Sequence, residues 1–410
     1  MTPHETLLDS YARLTVRTGL NIQKGQQLLI TAPLDAVPLV RRITDHAYRA
    51  GASLVTTFYA DDNATLSRFA HAPDEAFDTA PGWLFNGMAE AFRSGAARLA
   101  IAGEDPALLA GQDPNKLARA NKARSKAYRP ALELITGFFI NWCVIAAATP
   151  AWAKSVFPGL PEHEAIDRLW RAIFACTKAD QPDPVAAWEK HNTELARRTG
   201  FLNQQRYRAL RYSGPGVDLM LGLADDHIWK GGGGKSLNGV FCNVNIPTEE
   251  VFTAPHKDRV DGTLRSTKPL SYQGSLIDGI RVRFAGGRIV EMSAEKGEDA
   301  FRNLINTDEG AARLGEVALV PHSSPISASG IIFNNTLFDE NAASHVAVGQ
   351  SYTENIRDGS NRTQDELTAM GANTSLVHVD WMVGSGELDI DGILQDGSAQ
   401  ALMRQGEWAI

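Results

Sequence analysis

QQLLITA, at residues 26–32, is an unbroken apolar run with β-branched residues and no helical spacing, and it reads as a fully buried strand. Working outward, residues 4–18 carry the periodicity of an amphipathic helix, and residues 36–50 repeat it up to Gly51, a helix stop. SLVTTFYAD (53–61) is the next strand. A helix rich in alanine and aromatics follows at 82–95, then the strand ARLAIAGED (97–105), a basic helix at 114–127, and the buried strand FINWCVIAAA (139–148). Continuous apolar strands alternating with helices predict a parallel sheet covered by helices on both faces, a Rossmann-like α/β arrangement.

Two further helices are expected at 161–177 and 184–199, joined by the polar linker KADQPDP (178–184). From about residue 206 strands shorten and turns multiply. RVRFA and RIVEMSA flank Gly286-Gly287, a strong hairpin signal. A length of 410 residues exceeds a typical single core, so two domains are expected. We place them at 1–205, a parallel-sheet α/β domain, and 206–410, a β-rich, barrel-like and mainly antiparallel α+β domain.

The net charge of -8 argues against broad nucleic-acid binding, which needs a basic face. Cys143, Cys176 and Cys242 have no metal-type spacing and lie in apolar contexts, as reduced buried thiols do. MTPHETLLDSYARLTVRTG carries acidic residues and no apolar core segment, so it does not read as a signal peptide. The most apolar run, LITGFFINWCVIAAATPAW, is broken by Gly137, Asn141 and Pro150, and reads as a turn leading into a strand rather than a membrane span. A cytoplasmic protein is expected.

Chemistry-bearing residues concentrate in the last 160 or so positions. In SLVHVDWMVGSG, alternation puts His378 and Asp380 on one side of a strand, as a metal needs; a buried His–Asp hydrogen bond is the plainer alternative. DENAASHVAVG (339–349) reads as a short helix with Asp339 at its N-cap and Gly349 at its stop. That helix would set His345 one turn from Asn341, with Glu340 well off that face. Tyr352 follows, either packing in the core or reaching a metal-bound oxygen. In PTEE, extended backbone would send Glu249 and Glu250 to opposite faces, so one of them reaches a shared centre. Glu316 interrupts the core-like strand LGEVALV, where a carboxylate is costly unless paired or metal-bound. WKGGGGKSLNG lacks the first glycine of a phosphate loop, since Trp229 stands there, and no helix start follows, so it reads as a turn. His227, His256 and His322 lie near these motifs but each alone reads as surface or supporting.

The blocks NIPTEEVFTAPHKDRVDGT, TKPLSYQGSLIDGIRV, LGEVALV, TLFDENAASHVAVGQSY and SLVHVDWMVGSGELDIDG, in this order, resemble the metalloaminopeptidase family M29 over nearly the whole chain. The departures are mild: Trp381 stands where phenylalanine is usual and Gln350 where serine is common. The resemblance implies two divalent ions (Zn, Co or Mn) held by Glu250, Glu316, His345, His378 and Asp380, with Glu340 a further metal residue and Tyr352 beside the ions. It implies peptide substrates with a free N-terminus, broad specificity, a homodimer, and neither nucleic-acid nor membrane partners. Glu316 would bridge the ions, Tyr352 would support the oxyanion, and Glu249 would be the general base if its turn brings it inward; otherwise Glu340 or a ligand carboxylate moves the proton. Two other readings exist. Relatives that open dihydroxypyridine rings with one iron would use His345, His378 and Asp380 alone, and a non-catalytic relative would have lost ligands, which this chain has not.

Overall fold

The computed structural model describes residues 2–272 and 275–410; Met1 and the Gln273–Gly274 pair within the TKPLSYQGSLIDGIRV block lie outside the described residues. The chain divides into two compact units, Met1–Lys190 with Gly233–Pro247, and His191–Gly232 with Thr248–Ile410. No helix among the described residues is long and apolar enough to cross a membrane.

In the first unit QQLLITA becomes β1 (Gln27–Pro33), flanked in parallel by β2 (Leu54–Ala60) and β3 (Ala97–Ala102). β4 (Trp142–Ala146) completes the parallel order β2-β1-β3-β4. Leu28 and Ile30 are fully buried and Leu29 nearly so, which explains why β1 is apolar on both faces. The first helix, Pro3–Leu14, starts in a capping box formed by Thr2 and Glu5 and continues as wider, π-type winding over Thr15–Leu20. The basic helix runs further than its sequence spacing predicts, over Pro114–Thr136 and through Pro130. Ala131 and Ile135 bury against Phe85, Met88 and Phe92, and that packing outweighs the hydrogen bond proline removes. A helix at Asp62–His71 was not foreseen; Asp61 caps it by accepting the Asn63 N–H.

In the second unit every strand pair of the two larger sheets is antiparallel. One sheet holds eight strands and includes the expected hairpin. Arg281–Ala285 pairs with Arg288–Ser293 across Gly286 and Gly287, both at positive φ (55° and 78°) as a type I′ turn requires. The other sheet carries the chemistry. Its strands are β5 (Lys230–Gly231), β6 (Val251–Thr253), β7 (Leu314–Leu319), β8 (His345–Gly349) and β9 (His378–Met382), in the spatial order β9-β8-β7-β6-β5. Val317, Leu319, Val346, Val348 and Trp381 share one core with Leu219, Leu221, Val260 and Phe284 of the eight-stranded sheet. Period-two alternation sends the residues between them to the other face.

One expectation fails here. DENAASHVAVG is not a helix: a single helical turn at Thr336–Asp339 and a tight turn at Glu340–Ala342 lead into β8, which begins at His345. The cap is Asn335, which accepts the Leu337 N–H, while Asp339 accepts the N–H groups of Phe333 and Asn335. Val346 and Val348, two apart and β-branched, bury in the core, and that alternation overrides the helix propensity of the alanines.

Trp381 tests this packing. It is fully buried beside Phe301, with ring centroids 6.2 Å apart, and its indole N–H has no partner among the described residues. Trp381→Phe removes that orphan donor and should change stability by less than about 1.5 kcal/mol. Trp381→Ala should cost about 3–5 kcal/mol in urea unfolding. Equal losses for the two variants would contradict this account.

Candidate metal centre

Register assembles the cluster. Glu316 of β7 lies opposite Ala347 of β8, which lies opposite Asp380 of β9. His345 is two residues before Ala347 and His378 two before Asp380, so all four ionisable side chains share one face. Glu250 sits two residues before Phe252, whose partner is Ala318, and joins that face from the entry to β6. The small Ala347 stands in the middle of the Glu316–Asp380 row and keeps the space above it open. Gly231 matters on the other edge: a Cβ there would come within 2.6 Å of the Glu250 carbonyl, so glycine lets β5 close against the ligand-bearing strand.

Both imidazoles are tethered the same way. His345 Nδ1 lies 3.2 Å from the Ala343 carbonyl and His378 Nδ1 2.7 Å from the Gln350 carbonyl. A carbonyl only accepts, so each Nδ1 carries the proton and each Nε2 turns to the carboxylates, the orientation a metal-binding histidine needs. His345 Nε2 is 3.1 Å from Glu250 Oε2 and 3.6 Å from Glu316 Oε1. His378 Nε2 is 3.7 Å from Glu316 Oε2 and 3.6 Å from Asp380 Oδ1. Metal–ligand bonds of roughly 2.0–2.2 Å put neighbouring ligand atoms about 3–4 Å apart, which is this spacing. Two groups result, Glu250–Glu316–His345 and Glu316–His378–Asp380, each with its ligand atoms within 4.8 Å of one another. Glu250 Oε2, Glu316 Oε2 and Asp380 Oδ1 are buried and, among the described residues, accept no hydrogen bond. The donor set and its orphaned oxygens fit divalent cations.

The electrostatics agree. Burial pushes the Glu316 carboxyl up to about 7, against the pull of His345. Burial works against the His378 cation, yet Asp380 outweighs it and lifts the imidazole to about 9. His345 is likewise raised well above its usual range, with Glu250 and Glu316 overcoming burial. Burial would raise Asp380, but the attraction of the neighbouring His378 wins and lowers it. The cluster favours positive charge at its centre.

The remaining expected residues surround it. Glu340, on the turn after the short helix, lies outside both groups. Its carboxyl is driven well above the usual range by burial and then by Glu250 and Asp380. It lines a cleft with Asp380, Met382, Leu270, Asn335 and Thr336. The Tyr352 ring sits 4.7 Å from that of His378 and meets Phe252 edge-on, with 43% of the residue exposed. Burial of the rest and the charges of Glu316 and Asp380 raise its phenol, which stays a donor. Glu249 diverges from Glu250: its carboxylate lies 3.7 Å from His191 Nε2. His227, His256 and His322 belong to neither group, and among the glycines Gly233–Lys235 forms a small antiparallel pairing with Phe241–Asn243. Sequence reasoning missed Ala347, the carbonyls of Ala343 and Gln350, and the buried Asn341. Their only sequence signal is that Ala343, Ala347 and Asn341 are small or amide residues one or two positions from His345 or Glu340; Gln350 has none. Gln350 departs from the usual serine at no cost to His378, because its backbone oxygen makes the bond.

The model of the thermophilic metalloprotease family (M29) matches residues 4–408. Aminopeptidase T of Thermus thermophilus is 53% identical over 403 residues, covering 98% of each chain. Aminopeptidase 2 of Geobacillus stearothermophilus is 49% identical over 405 residues, 99% of this chain and 98% of its own. The solved structure of wild-type AmpT from Thermus thermophilus matches with a TM-score of 0.94 at 52% identity, over 98% of this chain and 99% of that one. A 2,5-dihydroxypyridine dioxygenase of Pseudomonas putida shares the fold alone, with a TM-score of 0.52 at 11% identity over 99% and 96% of the two chains.

Ala347 gives a direct test of the geometry. Ala347→Leu should cost about 1–3 kcal/mol in stability and weaken divalent-ion binding by at least about 100-fold, read by chelator competition on folded protein. Unchanged affinity would mean the ions do not sit above Ala347.

Proposed function

The chain belongs to the thermophilic metalloprotease family M29 and is a metal-dependent aminopeptidase, and from that premise we propose that it releases the N-terminal residue of peptides with two divalent ions. One observation carries the reading: the two ligand groups share Glu316, whose oxygens face one histidine each. Glu250, His345 and one oxygen of Glu316 would hold the first ion, with Glu340 a further ligand at that border. His378, Asp380 and the other Glu316 oxygen would hold the second. Zinc, cobalt and manganese all suit this oxygen–nitrogen set. Bound ions would supply Lewis acidity, polarising the scissile carbonyl and lowering the pKa of water.

The chain's own groups do the rest. Tyr352, kept protonated, donates a hydrogen bond to the oxyanion that develops at the carbonyl. The direction of Glu249 toward His191 argues against its use as general base. Glu340, half-buried in the wall of the cleft, would be the carboxylate that passes a proton from water to the leaving amine. The acidic cleft suits the α-ammonium of a free N-terminus. A single-iron triad would leave Glu250 and Glu316 buried without function, so the hydrolytic reading is preferred. The family resemblance supports a homodimer, and three free, buried thiols suit a reducing cytoplasm.

Purified enzyme should hydrolyse Leu- or Arg-coupled chromogenic amides, lose activity to a chelator, and recover it with Zn²⁺, Co²⁺ or Mn²⁺ as two ions bind per chain. Glu316→Gln should lower turnover by at least about 100-fold while the far-ultraviolet spectrum is unchanged. Full activity after rigorous chelation, or one iron per chain, would overturn the mechanism. Tyr352→Phe should lower kcat by about 10²–10³-fold with little change in KM; a rise confined to KM would assign Tyr352 to binding instead.

A further inference from the structure

Asn341 is fully buried, and every polar atom of its amide is engaged. Its Oδ1 accepts the Glu249 N–H at 2.7 Å. Its Nδ2 donates to the Leu337 carbonyl at 3.1 Å and, more weakly, to Glu340 Oε1 at 3.4 Å. A flipped amide would set oxygen against two acceptors and nitrogen against a donor, so one orientation is enforced. Its backbone carbonyl accepts the hydroxyl of Ser324, itself buried, which anchors the turn to a second segment.

The partners matter more than the count. The Glu249 N–H is the amide of the residue immediately before Glu250, and Glu340 is the neighbour of Asn341 on its own turn. These segments are ninety residues apart in sequence, and strand pairing does not tie them together: pairing of Val251 with Leu319 and Gly231 sets the strand that Glu250 enters, while Glu340 sits on a separate turn. One amide joins them.

We propose that Asn341 is a positioning residue that sets Glu250 and Glu340 as the arms of one ion position, the Glu250–Glu316–His345 group, and has no part in the Glu316–His378–Asp380 position. The inference rests on the two-ion reading. Its consequence is unequal loss: disturbing Asn341 weakens one ion and spares the other.

No common side chain replaces it. Asn341→Asp keeps the shape and the acceptor for Glu249, but loses both donors and turns an anion toward Glu340. Asn341→Ser shortens the side chain and breaks the reach to both segments. Chelated protein is titrated with Zn²⁺ against a chromophoric competitor, and folding is followed by thermal melting. Wild-type protein should take up two ions; uptake of a single ion would sink the two-ion reading itself, before any variant is made. Asn341→Asp should then bind one ion with wild-type affinity and the other about 10–100-fold more weakly, and Asn341→Ser should show the same split. Two ions bound as in wild type, or both weakened alike, would overturn the proposal. Failure of both variants to fold would also overturn it, since Asn341 would then be architectural. The single-site loss of affinity is the readout that a purely packing role does not produce.

Discussion

Carboxylates buried without hydrogen bonds are the constraint around which the second unit is built. Each such group costs several kcal/mol in a protein interior unless a counter-charge meets it. Three of them place orphaned oxygens within one cluster, on the face of a sheet whose other face is hydrocarbon. The two imidazoles cannot relieve this alone, because their two inner nitrogens face carboxylate oxygens of three residues, and all but the 3.1 Å approach of His345 to Glu250 lie at 3.6–3.7 Å, beyond good hydrogen bonds. Only a compact, multiply charged cation satisfies such a set, and the stability of the site is therefore coupled to the ion it holds.

The surrounding structure reads as means of holding those charges still. The apolar face, with Val317, Val346, Val348 and Trp381, fixes strand register because a slip by one residue would expose it. Backbone carbonyls of Ala343 and Gln350 fix the histidine tautomers, so the residues supplying them are free to vary in side chain. Glu250 leads directly into β6, and Glu340 lies on a turn outside the sheet, with the Asn341 amide bonded to the Glu249 N–H and to Glu340.

Much of this was legible in the residues. The apolar run at 26–32 and the Gly286-Gly287 hairpin carry their structures locally, and both formed as expected. His378 and Asp380 were readable as same-face neighbours, and Glu316 stood out as a charge inside LGEVALV. Two things were not local. DENAASHVAVG has alanines and a cap-like aspartate that favour a helix, and only the burial of Val346 and Val348 in a core made by distant strands decides for extension. The helix through Pro130 was cut short for the same reason, since its apolar continuation packs on residues far back in the chain. Glu249 and Glu250 could be told apart only in alternatives: the sequence says they diverge, and the partner of each comes from elsewhere, His191 for one and His345 for the other.

The pairing of His378 with Asp380 on β9 has a consequence for how such a chain can change over evolutionary time. Both ligands ride on one strand at one parity. An inserted or deleted residue between His378 and Asp380 would send the two to opposite faces of the sheet and break the pair. The same event in the loop before the strand, where Asp308 and Gln350 bind the backbone of Leu376 and Ser375, shifts neither parity nor core. Length variation among descendants should therefore collect in the loops that feed the strands. Strand lengths themselves are held by the same two-residue beat that built the site.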